Sequence, residues 1–168
     1  PAAIQNLGAM DILCTDKTGT ITADEVVLER HLNILGEEDP RVLRHAYLNS
    51  YFQTGLRNLI DKAIIKTSND ELPTNLLSIE YEKIDEVPFD FERRRMSVVV
   101  RNTKNDKTQM ITKGAVEEVL NACSFVDLDS EIKPLTPAQR KNVMDRVNQL
   151  NQEGMRVVGV AQKSDPRG

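Results

Sequence analysis

The stretch Asp16-Lys17-Thr18-Gly19-Thr20-Ile21-Thr22 gathers the residue types that phosphoryl chemistry requires. It follows Ala9–Cys14, a short apolar run of the kind that forms a buried parallel strand and delivers a loop at its carboxyl end. An aspartate just beyond such a strand is rigidly held, with its carboxylate facing the crevice at the strand ends. Lys17 supplies positive charge, Gly19 permits close backbone approach, and the threonine hydroxyls and amides can surround phosphate oxygens. A carboxylate that attacks a phosphoryl group also needs Mg²⁺ to neutralise both partners. Without that chemistry the same residues read as an ordinary polar turn.

Other positions carry charge or aromatic surface in places where a bland role and a functional one both fit. Phe89 is either a core aromatic or an exposed platform, since it stands between Pro88 and a charged run. Arg93, Arg94 and Arg95 are adjacent guanidiniums without matching acids nearby. They form either a solvated turn or a polyphosphate clamp, and Arg95 also suits an edge-strand gatekeeper. Lys113-Gly114 separates a strand from a helix, and a Cβ at Gly114 would obstruct the turn or a ligand. Arg156 lies among apolar residues, where an unpaired charge is costly, so it must reach solvent, an acid or a phosphate. Asp61 precedes an apolar helical run and can pair within its own helix. His31 and His45 read as surface or boundary residues, without the companions a zinc site needs.

The elements that must position these groups follow from period and punctuation. Asp39-Pro40 is a helix start, with Val42, Leu43, Ala46 and Tyr47 at helical spacing. Asn58 caps a second helix carrying Leu59, Ile60, Ala63 and Ile64, and the polar stretch from Ser68 to Thr74 reads as a loop. Met96–Val100 and Thr108–Thr112 are β-rich and joined by the polar stretch Asn102–Lys107 as a hairpin. Lys113-Gly114 breaks the second strand, and Ala115–Cys123 forms a helix. Thr136-Pro137-Ala138-Gln139 has capping-box form, Gly154 ends that helix, and Met155–Ala161 is the last strand. The sum is an α/β chain of the α+β kind: a largely antiparallel sheet flanked by helices.

With 168 residues the chain holds one well-packed domain and a short appendage. A net charge of -4 argues against a general nucleic-acid surface. Cys14 and Cys123 lack CxxC spacing and read as buried free thiols. No apolar run reaches membrane-spanning length, so direct membrane insertion of this segment is not expected. The dinucleotide-binding GxGxxG and the GxxxxGK[ST] phosphate loop are both absent.

The complete string from Cys14 to Thr22 resembles the phosphorylation signature of P-type ATPases, matching it over the seven residues Asp16–Thr22. The preceding Ala3–Asp11 is similar to the bacterial magnesium-transporting branch. The resemblance implies that Asp16 is the phosphoryl acceptor, that Thr18 helps hold phosphate and Mg²⁺ together with Asp16, and that Lys17 lies beside the transferred group. It further implies an adenine-stacking ring at Phe89, a pocket lysine at Lys113 with Gly114, an adenine-side carboxylate at Asp61, and phosphate-side cations at Arg94 and Arg156. Position 91 is Phe where some calcium-pump relatives carry a phosphate-contacting arginine, so Arg93 or Arg94 would have to compensate.

On this resemblance, residues 1–30 belong to a phosphorylation domain, 31–163 to a nucleotide-binding domain and 164–168 to a linker. The strand bearing Asp16 is then expected to lack its parallel partners. The expected ligands are ATP and Mg²⁺, and the expected partners are the remaining phosphorylation, actuator and membrane domains of a cation pump. Its place would be the cytoplasmic face of the inner membrane. Alone, the segment should bind ATP without hydrolysing it. A haloacid-dehalogenase-like phosphatase would need an aspartate where Thr18 stands, and a non-catalytic protein-interaction domain would show no nucleotide response.

Overall fold

The computed structural model describes residues 9–16, 26–55, 58–128 and 131–164. Lys17 and Thr18 lie outside them, and for Asp16 only the backbone is described. Six strands form one sheet in the order β2-β1-β8-β5-β4-β3, with every neighbouring pair antiparallel. They are β1 (Ala9–Asp16), β2 (Leu28–Leu32), β3 (Tyr81–Asp90), β4 (Arg95–Asn102), β5 (Thr108–Ala115) and β8 (Met155–Ser164). A separate hairpin pairs β6 (Phe125–Leu128) with β7 (Glu131–Pro134).

Side-chain alternation along the strands gives the sheet two apolar faces, and helices cover both. Leu13, Val98, Val100, Ile111 and Val160 face α1 (Pro40–Phe52), α2 (Leu59–Glu71) and α3 (Thr74–Glu80). Met10, Ile12, Cys14, Met110 and Ala161 face α4 (Val116–Ala122) and α5 (Pro137–Gln152). The helix starts are those the sequence marks. Asp39 accepts from the Arg41 amide, and Asn58 and Thr136 each close a capping box.

Three expectations need correction. Ala9–Cys14 is not a parallel strand without partners: β1 is an interior antiparallel strand between β2 and β8, with Ile12 opposite Leu32 on one side and Gly159 on the other. An apolar run buried on both faces suits either direction, so its composition carries no direction. The stretch from Ser68 to Thr74 is not a loop. Helix α2 continues to Glu71, and α3 begins at Thr74 after Leu72-Pro73. Its polar residues Asn69, Asp70 and Glu71 form the exposed side of that helix. Strand β3 carries register shifts at Lys83/Asp85 and Val87/Asp90. Finally, β5 runs through Lys113-Gly114 to Ala115. Gly114 pairs with Arg95, and a Cβ there would lie 2.4 Å from the Arg94 carbonyl oxygen.

Candidate functional site

The end of α1, the start of α2 and the end of β5 meet over a buried polar cluster. Asp61 is the third residue of α2 and completes its cap. Asn58 Oδ1 accepts from the Asp61 amide at 2.9 Å, while the Asn58 amide donates to Asp61 Oδ2 at 3.2 Å. The other oxygen, Oδ1, accepts from Ser50 Oγ at 2.9 Å and forms an ion pair with Lys113 Nζ. Lys113 also donates to Asn49 Oδ1 at 2.9 Å and to Ser50 Oγ at 3.1 Å. Asn49 in turn donates to the Ile111 carbonyl at 2.9 Å, which ties the cluster back to β5.

Lys113 and Asp61 are 6% and 2% exposed, so both charges are buried. Burial opposes ionisation of Asp61, but the Lys113 charge and the hydrogen bonds around it hold its pKa below the usual value. Burial lowers the Lys113 pKa, with Asp61 opposing.

Above the pair opens a cavity of about 380 Å³. Ile60, Met96 and Val158 supply apolar wall, Phe89 one aromatic side, and Gln53, Asn58, Asp61, Lys113 and Gly114 also border it. Phe89 is half exposed and meets Phe91 edge to face, with ring centroids 5.1 Å apart and planes at 87°. Four positions singled out in the sequence therefore converge here from three elements: Asp61 from α2, Phe89 from β3, and Lys113 with Gly114 from β5.

The arginines stand outside this cavity. Arg94 occupies the β3–β4 turn with a positive φ of 52° and bonds Glu118 at 3.2 Å, while Arg93 pairs with Asp90 at 3.8 Å. The arginine run thus has acids after all, contributed by β3 and α4. Arg156 is exposed. Strand alternation puts it on the same sheet face as the cavity-lining Val158, two residues away. In β1, Thr15 lies opposite Arg156 and Asp16 opposite Met155.

The model of the P-type ATPase cytoplasmic domain N matches residues 52–167, more than half of the chain. The chain belongs to the P-type ATPases. It is 52% identical over 165 residues to a magnesium-transporting ATPase, P-type 1, of Escherichia coli K12, covering 98% of this chain and 18% of that protein. The protein of the same name from Salmonella typhimurium LT2 is 51% identical over 164 residues, again 98% of this chain and 18% of the relative. A calcium-transporting ATPase 1 of Bacillus cereus is 27% identical over 178 residues, 96% of this chain and 20% of that protein. The chain spans about a fifth of the length of these relatives.

Within this P-type ATPase N domain, sequence reading missed Asn49, Ser50, Gln53 and Asn58 as parts of the site. Asn58 was legible only as a cap, and nothing in the α1 sequence marks its last turn as polar and buried. His45 was misread as a surface or boundary residue. It is 3% exposed, and burial, aided by the charges of Arg44 and Arg41, pushes its pKa down to about 3. Cys14 and Cys123 are buried free thiols as expected, and burial raises them to about 11 and about 12.

Proposed function

We propose that this domain binds MgATP by its base in the cavity bordered by Phe89, Asp61, Lys113 and Gly114, with the triphosphate directed toward Arg94 and Arg156. The convergence of those four cavity residues carries the reading. Adenine is flat, apolar on its faces and polar at its edge. The cavity offers an exposed ring for the face, apolar wall behind it and buried polar groups at its floor. All three Lys113 donors are committed to Asn49, Ser50 and Asp61, so the lysine shapes the floor and the phosphate charge falls to the arginines. Mg²⁺ would arrive on the triphosphate.

In the whole pump, the γ-phosphate would be presented to Asp16, with Lys17 beside the transferred group and Thr18 sharing Mg²⁺ and phosphate contacts. Aspartyl-phosphate formation would drive transport of magnesium or another cation by the remaining phosphorylation, actuator and membrane domains. Residues 1–30 would then serve the phosphorylation domain, 31–163 the nucleotide-binding domain and 164–168 the connection onward. The domain would lie at the cytoplasmic face of the inner membrane.

Calorimetric titration of the chain with MgATP tests the site. Phe89→Ala should weaken binding by roughly 1–3 kcal/mol through lost stacking. Its effect on stability should be small, because the ring is half exposed. Absence of saturable binding in the wild type sinks the reading, and unchanged affinity in folded Phe89→Ala removes that ring from the site. Equal affinity for ATP and adenosine would leave the arginines without a phosphate role.

A further inference from the structure

The turn between β3 and β4 is fixed by its own hydrogen bonds and by its seat on β5. The Asp90 carbonyl accepts from the Arg94 amide at 2.6 Å, and Asp90 Oδ1 accepts from the Glu92 amide at 2.8 Å and the Arg93 amide at 3.3 Å. The Arg94 carbonyl accepts from the Ala115 amide at 3.0 Å and lies against Gly114, where a Cβ would not fit. This turn carries Phe91, which is 87% exposed. Core packing does not account for a phenylalanine so placed. Its ring meets the ring of Phe89 edge to face. Phe89 borders the cavity, and Phe91 stands outside the cavity wall.

We propose that Phe91 is a positioning residue that braces Phe89 and holds its ring in the plane on which the base stacks. This rests on the reading of the cavity as a nucleotide site and adds a residue that acts on the base through Phe89 alone. Phe89 is half exposed, so packing restrains its ring on one side only. A ring free to turn must be ordered when the base arrives, and that ordering weakens binding. A second ring set across it limits the rotation, because the electropositive edge of one ring faces the electronegative face of the other. The turn fixes the backbone of Phe91, so the brace is in place before any ligand enters.

Phe91→Leu and Phe91→Tyr, made in the wild type and in Phe89→Ala, test this by titration with MgATP and with adenosine. Replacing a side chain this exposed should leave the unfolding midpoint almost unchanged. Phe91→Leu keeps apolar bulk but removes the aromatic contact, and it should weaken both ligands by about three- to tenfold, the size of an aromatic pair. Phe91→Tyr should keep wild-type affinity. In Phe89→Ala, adding Phe91→Leu should change nothing further, since the ring it braces is gone. By NMR, ring protons of the pair in the ligand-free wild type should be shifted upfield by the neighbouring ring, and Phe91→Leu should abolish the shift. If the wild type binds ATP, five results each overturn the brace while leaving the cavity a nucleotide site. These are unshifted ring protons, unchanged affinity in Phe91→Leu, equal losses in Phe91→Leu and Phe91→Tyr, a loss confined to ATP, and the same loss in Phe89→Ala. A wild type that binds neither ligand ends the nucleotide reading, and the Phe91 assignment with it.

Discussion

Lys113 carries three N–H donors and meets three acceptors, on Asn49, Ser50 and Asp61. Removing it leaves a buried carboxylate uncompensated, so Lys113→Met should lower unfolding stability by about 3–5 kcal/mol at pH 7. The pH dependence identifies the cause. In the wild type the folded pKa of Asp61 is depressed, so its stabilisation is present above the unfolded value and is lost as pH falls through the folded one. In Lys113→Met only burial and the remaining hydrogen bonds act, burial raises the carboxyl pKa, and acidification from pH 7 to 5 should narrow the deficit. Urea unfolding at both pH values checks this, and a deficit that is small or independent of pH removes the ion pair from the account. His45 acts with the opposite proton balance to a surface histidine. Its folded pKa of about 3 lies below the unfolded value, so the unfolded chain takes up the proton first. Stability is full above the unfolded pKa and falls as pH drops toward 3, by about 1.4 kcal/mol between pH 7.5 and 5.5 from this residue alone. His45→Gln should flatten that segment of the stability profile, and an unchanged slope would mean that His45 is protonated in the fold. Neither role is legible in the sequence. His45 follows the charged pair Arg41 and Arg44 on a helix whose inward face only tertiary packing defines, and Lys113 finds its acid 52 residues away.

At the scale of elements, legibility tracked local chemistry. Caps at Asp39, Asn58 and Thr136 are written in the residues that form them, and so are the strands on either side of Asn102–Lys107. Strand β2, helix α3 and the β6–β7 hairpin went unread because their short segments owe their structure to neighbours. Strand β1 is the sharpest case, because its residues announce burial on both faces and are silent about direction. Its antiparallel seat between β2 and β8 predicts slow amide exchange. Ile12, Leu13 and Cys14 should exchange no faster than Val98, Val99 and Val100 in β4. Exchange followed by NMR decides it, and rapid exchange in β1 with β4 still protected would remove β1 from the sheet.

For the whole molecule, the largely antiparallel class was legible from the hairpin around Asn102–Lys107. The association of α1, α2, β3 and β5 around one cavity does not follow from any local signal. That association positions a base, and base binding alone does not make a phosphoryl-transfer site. In-line transfer requires Mg²⁺ held between acceptor and γ-phosphate, and fixed positive charge where negative charge develops. Here the buried cation Lys113 is committed to Asp61. A misplacement of about 1 Å can cost on the order of 100-fold in rate, so the acceptor must be held and charged by fixed groups. The chain alone should therefore bind MgATP reversibly and form no stable aspartyl-phosphate. Incubation with γ-labelled ATP and Mg²⁺, acid quench and counting of protein-bound label measures this directly. Stoichiometric, hydroxylamine-sensitive label that disappears in Asp16→Asn would overturn the prediction, because it would mean that these 168 residues suffice to align, charge and activate the acceptor.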